Sequence, residues 1–174
     1  EKGLSFWDTK CSPDQEVARV PELKEIEYRG GLLRFRIPSD WMEEYGQESG
    51  GTFYAQKADS GTLRLSVLTF RGQAMAEPAD LVDALEKWGE PELLPSGNAI
   101  VNYRETAEQD ERELSISYWQ LANAVAPRHI RVAVFSYTIL ANQLLEPGMR
   151  EELQLLDDEI RTAVFSAELG VLPA

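Results

Sequence analysis

The side chains best suited to catalysis in this 174-residue chain are one histidine, one cysteine and several groups of carboxylates. His129 is the group whose unperturbed pKa lies near neutrality, but its neighbours Arg128 and Arg131 disfavour its charged form. Cys11 follows Lys10, which can lower the pKa of a thiol, in a stretch without a regular pattern. Neither residue has a sequence partner that completes a nucleophile–base pair. We therefore predict no catalytic residue and an ordinary strand-end role for His129.

Acidic residues form groups whose spacing matches no known carboxylate site. Paired carboxylates can hydrolyse glycosides or bind hard cations, but no Asp-x-Asp-x-Asp-Gly calcium loop is present. A single cysteine and a single histidine exclude Cys-rich and two-histidine zinc sites. The groups are Glu43, Glu44 and Glu48, then Glu108 to Glu113, then Asp157, Asp158 and Glu159. We predict that these faces are solvated and that the protein has no metal site and no cofactor.

Motifs for phosphate binding and for hydrolysis are also missing. The sequence lacks Gly-x-x-x-x-Gly-Lys, Gly-x-Gly-x-x-Gly and Gly-x-Ser-x-Gly. The more informative polar residues are Ser115 and Ser117, which alternate along a predicted strand and can face Asn102 and Arg104 across a hairpin. This patch is either a groove for a small ligand or the wetter side of a sheet.

The charge of the chain restricts its partners. Seventeen basic residues against thirty acidic ones give a net charge of −13 and a pI near 4.5. Nucleic acid and anionic membranes are disfavoured as partners, because both attract clustered Lys and Arg. The acidity either serves solubility or steers a basic partner. No apolar run is long enough to insert into a membrane. One cysteine and no such run favour the cytoplasm, although the first residue is Glu1 and a removed leader stays possible.

Hydrophobic patterns predict an α+β domain over residues 24–168, after an irregular arm over 1–23 and before a tail over 169–174. About six strands should form one antiparallel sheet covered by helices, and the alternation of Leu33, Phe35 and Ile37 with Arg34 and Arg36 predicts one of these strands. An acidic loop should follow Trp41, and a charged tip at 106–111 should close a long hairpin. The strand over Arg128–Leu140 is apolar on both faces, so it should be central and covered on both sides.

Two amphipathic helices complete the predicted domain. The first opens at Pro78 and ends before Gly89, with one apolar stripe through Leu81, Leu85 and Trp88. The second opens at Pro147. The apolar stripe of the second helix comprises Met149, Leu153, Leu156, Ile160 and Val164.

Aromatic residues outside the predicted core are candidate contacts for a partner, because aromatic side chains dominate interface energetics. Phe6 and Trp7 stand in the N-terminal arm, where they either anchor the arm onto the domain or contact a partner. Trp41, Tyr45 and Tyr54 are the other candidate anchors.

The segment Phe35-Arg-Ile-Pro-Ser-Asp-Trp41 resembles the step that ends an early strand in domains of the Mog1/PsbP-like fold. With the order of elements, the resemblance covers roughly residues 24–166. It implies an α/β/α sandwich with an antiparallel sheet between helical layers. It also implies a mostly non-enzymatic group whose members bind small GTPases, serve as extrinsic photosystem subunits or act as chaperone-like adaptors in bacterial secretion. It assigns no site residue beyond the step at Pro38 and Trp41.

The functional expectation is therefore a non-catalytic protein-interaction or adaptor domain with a protein partner. The alternative is a small-ligand-binding protein that uses the patch at Asn102, Arg104, Ser115 and Ser117. The oligomeric state is left open.

Overall fold

The protein is described by a computed structural model that covers residues 21–46 and 50–168. Most of the predicted arm over 1–23, and all of the tail over 169–174, therefore lie outside the described residues. The strands are β1 (Leu23–Tyr28), β2 (Leu33–Pro38), β3 (Trp41–Gly46), β4 (Gly50–Ala55), β5 (Thr62–Arg71), β6 (Glu92–Leu93), β7 (Ala99–Gln109), β8 (Arg112–Val125), β9 (His129–Leu140) and β10 (Val164–Phe165). The helices are α1 (Pro78–Leu85) and α2 (Met149–Arg161), with short 3-10 helices at Glu86–Trp88 and Ala141–Leu145. The α+β class is confirmed.

The strands form two antiparallel sheets, so the prediction of one sheet of about six strands is wrong. The large sheet has the order β3-β4-β5-β9-β8-β7-β6, and the small sheet has the order β1-β2-β10. The division occurs at Pro38, which ends β2, and the next amide, on Ser39, donates to the carbonyl oxygen of Glu22 at 2.8 Å. This corner sends the chain from the small sheet into the large one.

Strand β3 lies where an acidic loop was predicted. It forms an edge of the large sheet and pairs along its whole length with β4. After Trp41 all of its residues are exposed, so no alternation of apolar side chains marks it as a strand. An edge strand whose side chains are exposed in this way has the composition of a solvated loop.

The large sheet has two unlike faces. One face, the core face, packs against the small sheet and α2 and holds most of the core. The core face carries Phe53, Leu65, Trp119, Leu121 and Phe135, and the small sheet contributes Leu33, Phe35 and Ile37. Phe35 contacts Phe53 and Phe135 edge-on, with ring centroids 5.4 and 5.2 Å apart. The alternating strand predicted from Leu33, Phe35 and Ile37 therefore joins the two sheets.

The opposite face, which we call the open face, is covered by α1 over only part of its area. Leu81 and Leu85 of α1 pack on Val101 of β7, Ala122 of β8 and Val132 of β9. Strand β9 lies between β5 and β8, so its predicted central place is correct. Strand β9 is covered on both faces, as expected, only where α1 lies over it. Farther along β9, α1 does not cover the open face.

Helix α1 begins as predicted, with Pro78 at its first position and Glu77 before it. The Glu77 amide donates to the Asp80 carboxylate at 2.7 Å, which satisfies one of the free donors at the helix start. Helix α2 ends at Arg161, so the prediction that Val164 belongs to its buried stripe is wrong. Val164 instead pairs with Arg34 in the small sheet.

The end of the last described segment is held by a buried arginine. Arg131 on β9 is 1% exposed, and its Nη1 donates to the carbonyl oxygen of Ser166 at 2.8 Å. Its Nη2 donates to the carbonyl oxygen of Glu168 at 2.5 Å. Burial lowers the pKa of Arg131, and no carboxylate among residues 21–46 and 50–168 forms an ion pair with it.

Candidate functional site

A groove lies on the core face at the edge where β7 and β8 pass beneath α2. Asn102 is paired with Trp119, and Arg104 with Ser117, so these four side chains project from the same face. Strand alternation and register therefore bring the predicted residues Asn102, Arg104 and Ser117 together. Leu153, Gln154 and Asp157 of α2 form the other wall, and Tyr103 and Tyr118, whose side chains project from the opposite face, border the groove with their backbone. The groove is open to solvent and has a volume of about 350 Å³.

A network of charged and polar groups holds the α2 wall in place. The indole Nε1–H of Trp119 donates to Asp157 Oδ1 at 2.8 Å. Arg161 Nε donates to Asp157 Oδ2 at 2.7 Å, and Arg161 Nη1 donates to Glu92 Oε2 at 2.7 Å. Hydrogen bonds to Glu92 and Asp157 raise the pKa of Arg161 against the opposing effect of burial. Both oxygens of Asp157 are therefore engaged within the protein.

Arg104 is the one cationic side chain among the described residues that line this groove. Its Nε donates to Ser117 Oγ at 3.3 Å, which orients the guanidinium. Within the described ranges, no carboxylate lies close enough to Arg104 to form an ion pair. The terminal nitrogens of this exposed side chain are therefore available to an anionic group.

Ser115 does not join the other three residues of the predicted patch. It pairs with Thr106 and Ile139, is almost completely buried and does not line the groove. Its Oγ has no hydrogen-bond partner within the described part of the chain.

The open face exposes apolar side chains where α1 does not cover it. Leu68 and Phe70 of β5 are 50% and 53% exposed, and they project from the same face because they lie two residues apart. At the sheet edge, Met42 of β3 is 41% exposed and is paired with Tyr54 of β4. Arg64 lies between these two apolar groups, opposite Thr52 on one side and Ser136 on the other.

The predicted aromatic anchors occupy different environments. Trp41 is 4% exposed on the core face and stacks on Tyr137 with ring centroids 6.0 Å apart, so it is a core residue. Tyr45 is 53% exposed on the same side as Phe53, and partial desolvation of its hydroxyl together with the hydrogen bond to Glu43 raises its pKa. Tyr54 lies on the open face. Phe6 and Trp7 lie outside the described residues.

The remaining candidates for chemistry are separated from one another. His129 is the first residue of β9 and is half-buried, and Cys11 and Glu48 lie outside the described residues. No group of three His, Cys, Asp or Glu side chains in the described ranges is placed to hold a metal ion. Over the same ranges, neither helix has the length and apolar composition needed to cross a bilayer.

One predicted solvated carboxylate is buried. Glu159 of α2 accepts hydrogen bonds from Arg36 of β2, from Nε at 2.7 Å and from Nη2 at 2.9 Å. The hydrogen bond and the charge of Glu159 raise the pKa of Arg36. The pair links α2 to the small sheet. Its two residues are 123 positions apart in the sequence, so local spacing does not indicate the contact.

The α2 wall of the groove was missed by the sequence reasoning. Asp157 was grouped with solvated carboxylates, and Leu153 was assigned only to the buried stripe. A signal was present, because Asp157 stands four residues after Leu153 and beside Leu156, at the border of the apolar stripe. Which strand that border faces depends on sheet order, which the sequence does not reveal.

Comparison with known proteins identifies the fold and nothing finer. No protein-family model matches the chain, and no curated protein matches it either. A crystal structure from Bacteroides thetaiotaomicron VPI-5482 matches with a TM-score of 0.57 and 18% identity, over 86% of this chain and 51% of that one. This chain thus spans about half the length of that protein.

Two further solved structures are similar over most of their length. LpqN, involved in cell envelope biogenesis of Mycobacterium tuberculosis, matches with a TM-score of 0.56 and 10% identity, over 83% of this chain and 91% of that one. The solution structure of cyanobacterial PsbP from Synechocystis sp. PCC 6803 matches with a TM-score of 0.42 and 8% identity, over 86% of this chain and 96% of that one. At these identities the likeness concerns fold alone. The chain shares its fold with the Bacteroides protein and with LpqN, whose TM-scores exceed 0.5.

Proposed function

We propose that the protein is a non-catalytic protein-binding domain whose binding surface is the open face of the large sheet. The observation that supports this proposal is the half-exposure of Leu68 and Phe70 on an otherwise regular, central strand pair. Exposed apolar groups clustered on one face mark interaction sites in soluble proteins. Met42 and Tyr54 extend the surface toward the sheet edge and supply an aromatic anchor.

The charges on this face indicate what kind of partner it binds. The whole chain carries −13, yet Arg64 is the one charged side chain among the open-face residues of β4, β5 and β9. Glu44 of the edge strand β3 lies on the same face and accepts a hydrogen bond from Tyr54 at 2.6 Å. The residues paired with Arg64 are the neutral Thr52 and Ser136. A complementary partner is therefore another protein with an apolar surface and a carboxylate that meets Arg64. A second copy is a poorer fit, since a two-fold contact centred here would bring Arg64 toward its own counterpart.

Photo-crosslinking in the native organism tests this proposal directly. A photoreactive phenylalanine analogue replaces Leu68, and a matched control replaces Leu145, which is 89% exposed at the end of the 3-10 helix that follows β9. We expect a discrete heavier product containing a different protein from position 68 and none from position 145. A product of twice the chain mass, or an internal link to residues 1–20, would overturn the proposal.

A charge reversal then tests the chemistry of the partner. Once the crosslinked protein has been purified, Arg64→Glu should abolish its binding, and reversal of the facing carboxylate to Arg should restore it. Arg150→Glu, on the exposed side of α2, is the control and should leave binding unchanged. Equal binding by the Arg64 and Arg150 variants would refute the role of Arg64.

A second candidate function is binding of a small ligand in the groove. It is favoured by the convergence of Asn102, Arg104 and Ser117 on a space bounded by α2. Thermal-shift screening of small molecules tests it. Hits that stabilise the Arg104→Ala and Ser117→Ala variants as strongly as the original protein would exclude this groove as their site.

A further inference from the structure

We propose that the groove between α2 and the β7–β8 pair binds a small organic carboxylate with a single negative charge. This inference rests on the ligand-binding function proposed above, and it adds the charge and size of the ligand. Its basis is the arrangement of Arg104, Ser117, Asn102 and Asp157 around the 350 Å³ space.

The guanidinium of Arg104 is oriented so that its outer edge stays free. Ser117 Oγ accepts the Nε–H at 3.3 Å, so the Nε side of the guanidinium is held by the sheet. Nη1 and Nη2 form no hydrogen bond or ion pair with the described residues. Two parallel N–H donors at this spacing match the two oxygens of a carboxylate. The amide of Asn102, two residues earlier on the same face, is a further donor for the bound group.

The other groups in the groove limit the charge of the ligand to one. Asp157 is a carboxylate in the opposite wall, and its oxygens already accept hydrogen bonds from Trp119 and Arg161. Asp157 offers no donor to an anion, and its charge is balanced by Arg161, so the charge left to face the ligand is that of Arg104. Since Arg104 is the sole cation among the residues of 21–46 and 50–168 that line the space, a monoanion is balanced and a phosphate dianion is not.

The rest of the groove is suited to a short apolar body. Half-buried Leu153 lines one wall, and the buried ring of Trp119 forms part of the floor. The volume lies at the lower end of the range for ligand pockets, about 300–1,000 Å³. A single ring or a short hydrocarbon chain attached to the carboxylate fits this description.

The test is an NMR titration of the 15N-labelled chain with phenylacetate, with its neutral isostere phenylacetamide and with phenyl phosphate. The indole N–H of Trp119 and the amides of Asn102 and Ser117 report on the groove. We expect phenylacetate to shift these signals and to bind at least tenfold more tightly than either other probe. Arg104→Gln should weaken the binding of phenylacetate at least tenfold. The control Arg112→Gln, at the far end of the same strand pair, should leave its affinity unchanged.

The outcomes separate this inference from the function on which it rests. Equal binding of phenylacetamide and phenylacetate, with the groove signals shifted, would overturn the preference for a carboxylate and leave ligand binding in place. Tighter binding of phenyl phosphate would overturn the limit of one charge. Unshifted groove signals with all three probes would overturn both the inference and the ligand-binding function. Equal losses of phenylacetate affinity in the Arg104 and Arg112 variants would show a nonspecific charge effect and would also overturn the inference.

Discussion

Replacement of Trp41 by alanine tests whether this residue stabilises the core or serves a partner. The side chain is 4% exposed and stacks on Tyr137 with an interplanar angle of 13°. A buried tryptophan removes about 200 Å² from water, which at ~25 cal/mol/Å² is worth about 5 kcal/mol as an upper bound. We therefore expect Trp41→Ala to lower the free energy of unfolding by about 3–5 kcal/mol.

Urea denaturation followed by far-UV circular dichroism measures this loss. With a slope of ~2 kcal/mol/M, the transition midpoint should fall by about 1.5–2.5 M. Met42→Ala is the matched control, because Met42 is the next residue on the same strand, projects from the open face and is 41% exposed. Its effect should stay within about 0.5 kcal/mol. If Trp41→Ala lowered the free energy of unfolding by less than about 1 kcal/mol and also abolished partner binding, the reasoning would be refuted. Trp41 would then be an interface residue, as first predicted.

Three other substitutions test local features of the fold. The hydrogen bond from Lys24 lowers the pKa of Glu43 in the folded protein below its unfolded-state value near 4.5. The ionised Glu43 therefore stabilises the fold above pH 4.5, and this stabilisation is lost as the pH falls through the folded-state pKa. Glu43→Gln should therefore remove part of the acid-side decline in a series of urea melts, and an unchanged decline would contradict this. A Cβ at Gly61 would lie 2.1 Å from the Tyr137 ring, so Gly61→Ala should cost about 2 kcal/mol in the same assay. Glu111 at the β7–β8 turn has a φ of 62°, so Glu111→Gly should raise the melting temperature, and a lower one would show that the turn is not strained.

Patterns that repeat along one element were sufficient to predict much of the fold. The alternation of Leu33, Phe35 and Ile37 identified β2, and the stripe through Leu81 and Leu85 identified α1. Asp110 and Glu111 form a tight turn with positive φ, so the β7–β8 hairpin is longer than predicted but lies in the predicted place. These features are local, and each depends on residues close together in the chain.

Features that depend on the arrangement of distant elements were not predicted. The exposed residues of β3 carry no pattern that distinguishes an edge strand from a loop, and two-residue strands such as β10 are too short to have a period. The predicted facing of Arg104 and Ser117 agrees with the register, because a hairpin makes that pairing local. Whether those residues bind a ligand remains a prediction. The wall supplied by Asp157 could not be predicted, since the position of α2 over β8 is a contact between distant segments.

The contacts of Arg131 have a consequence for shortened versions of this protein. The guanidinium is held by the carbonyl oxygens of Ser166 and Glu168, so this contact requires the backbone at those positions and not their side chains. A chain cut before Ser166 would leave a buried cation without acceptors, which is far more costly than the loss of a few terminal residues suggests. Engineered fragments, fusions and protease sites should therefore be placed after Glu168.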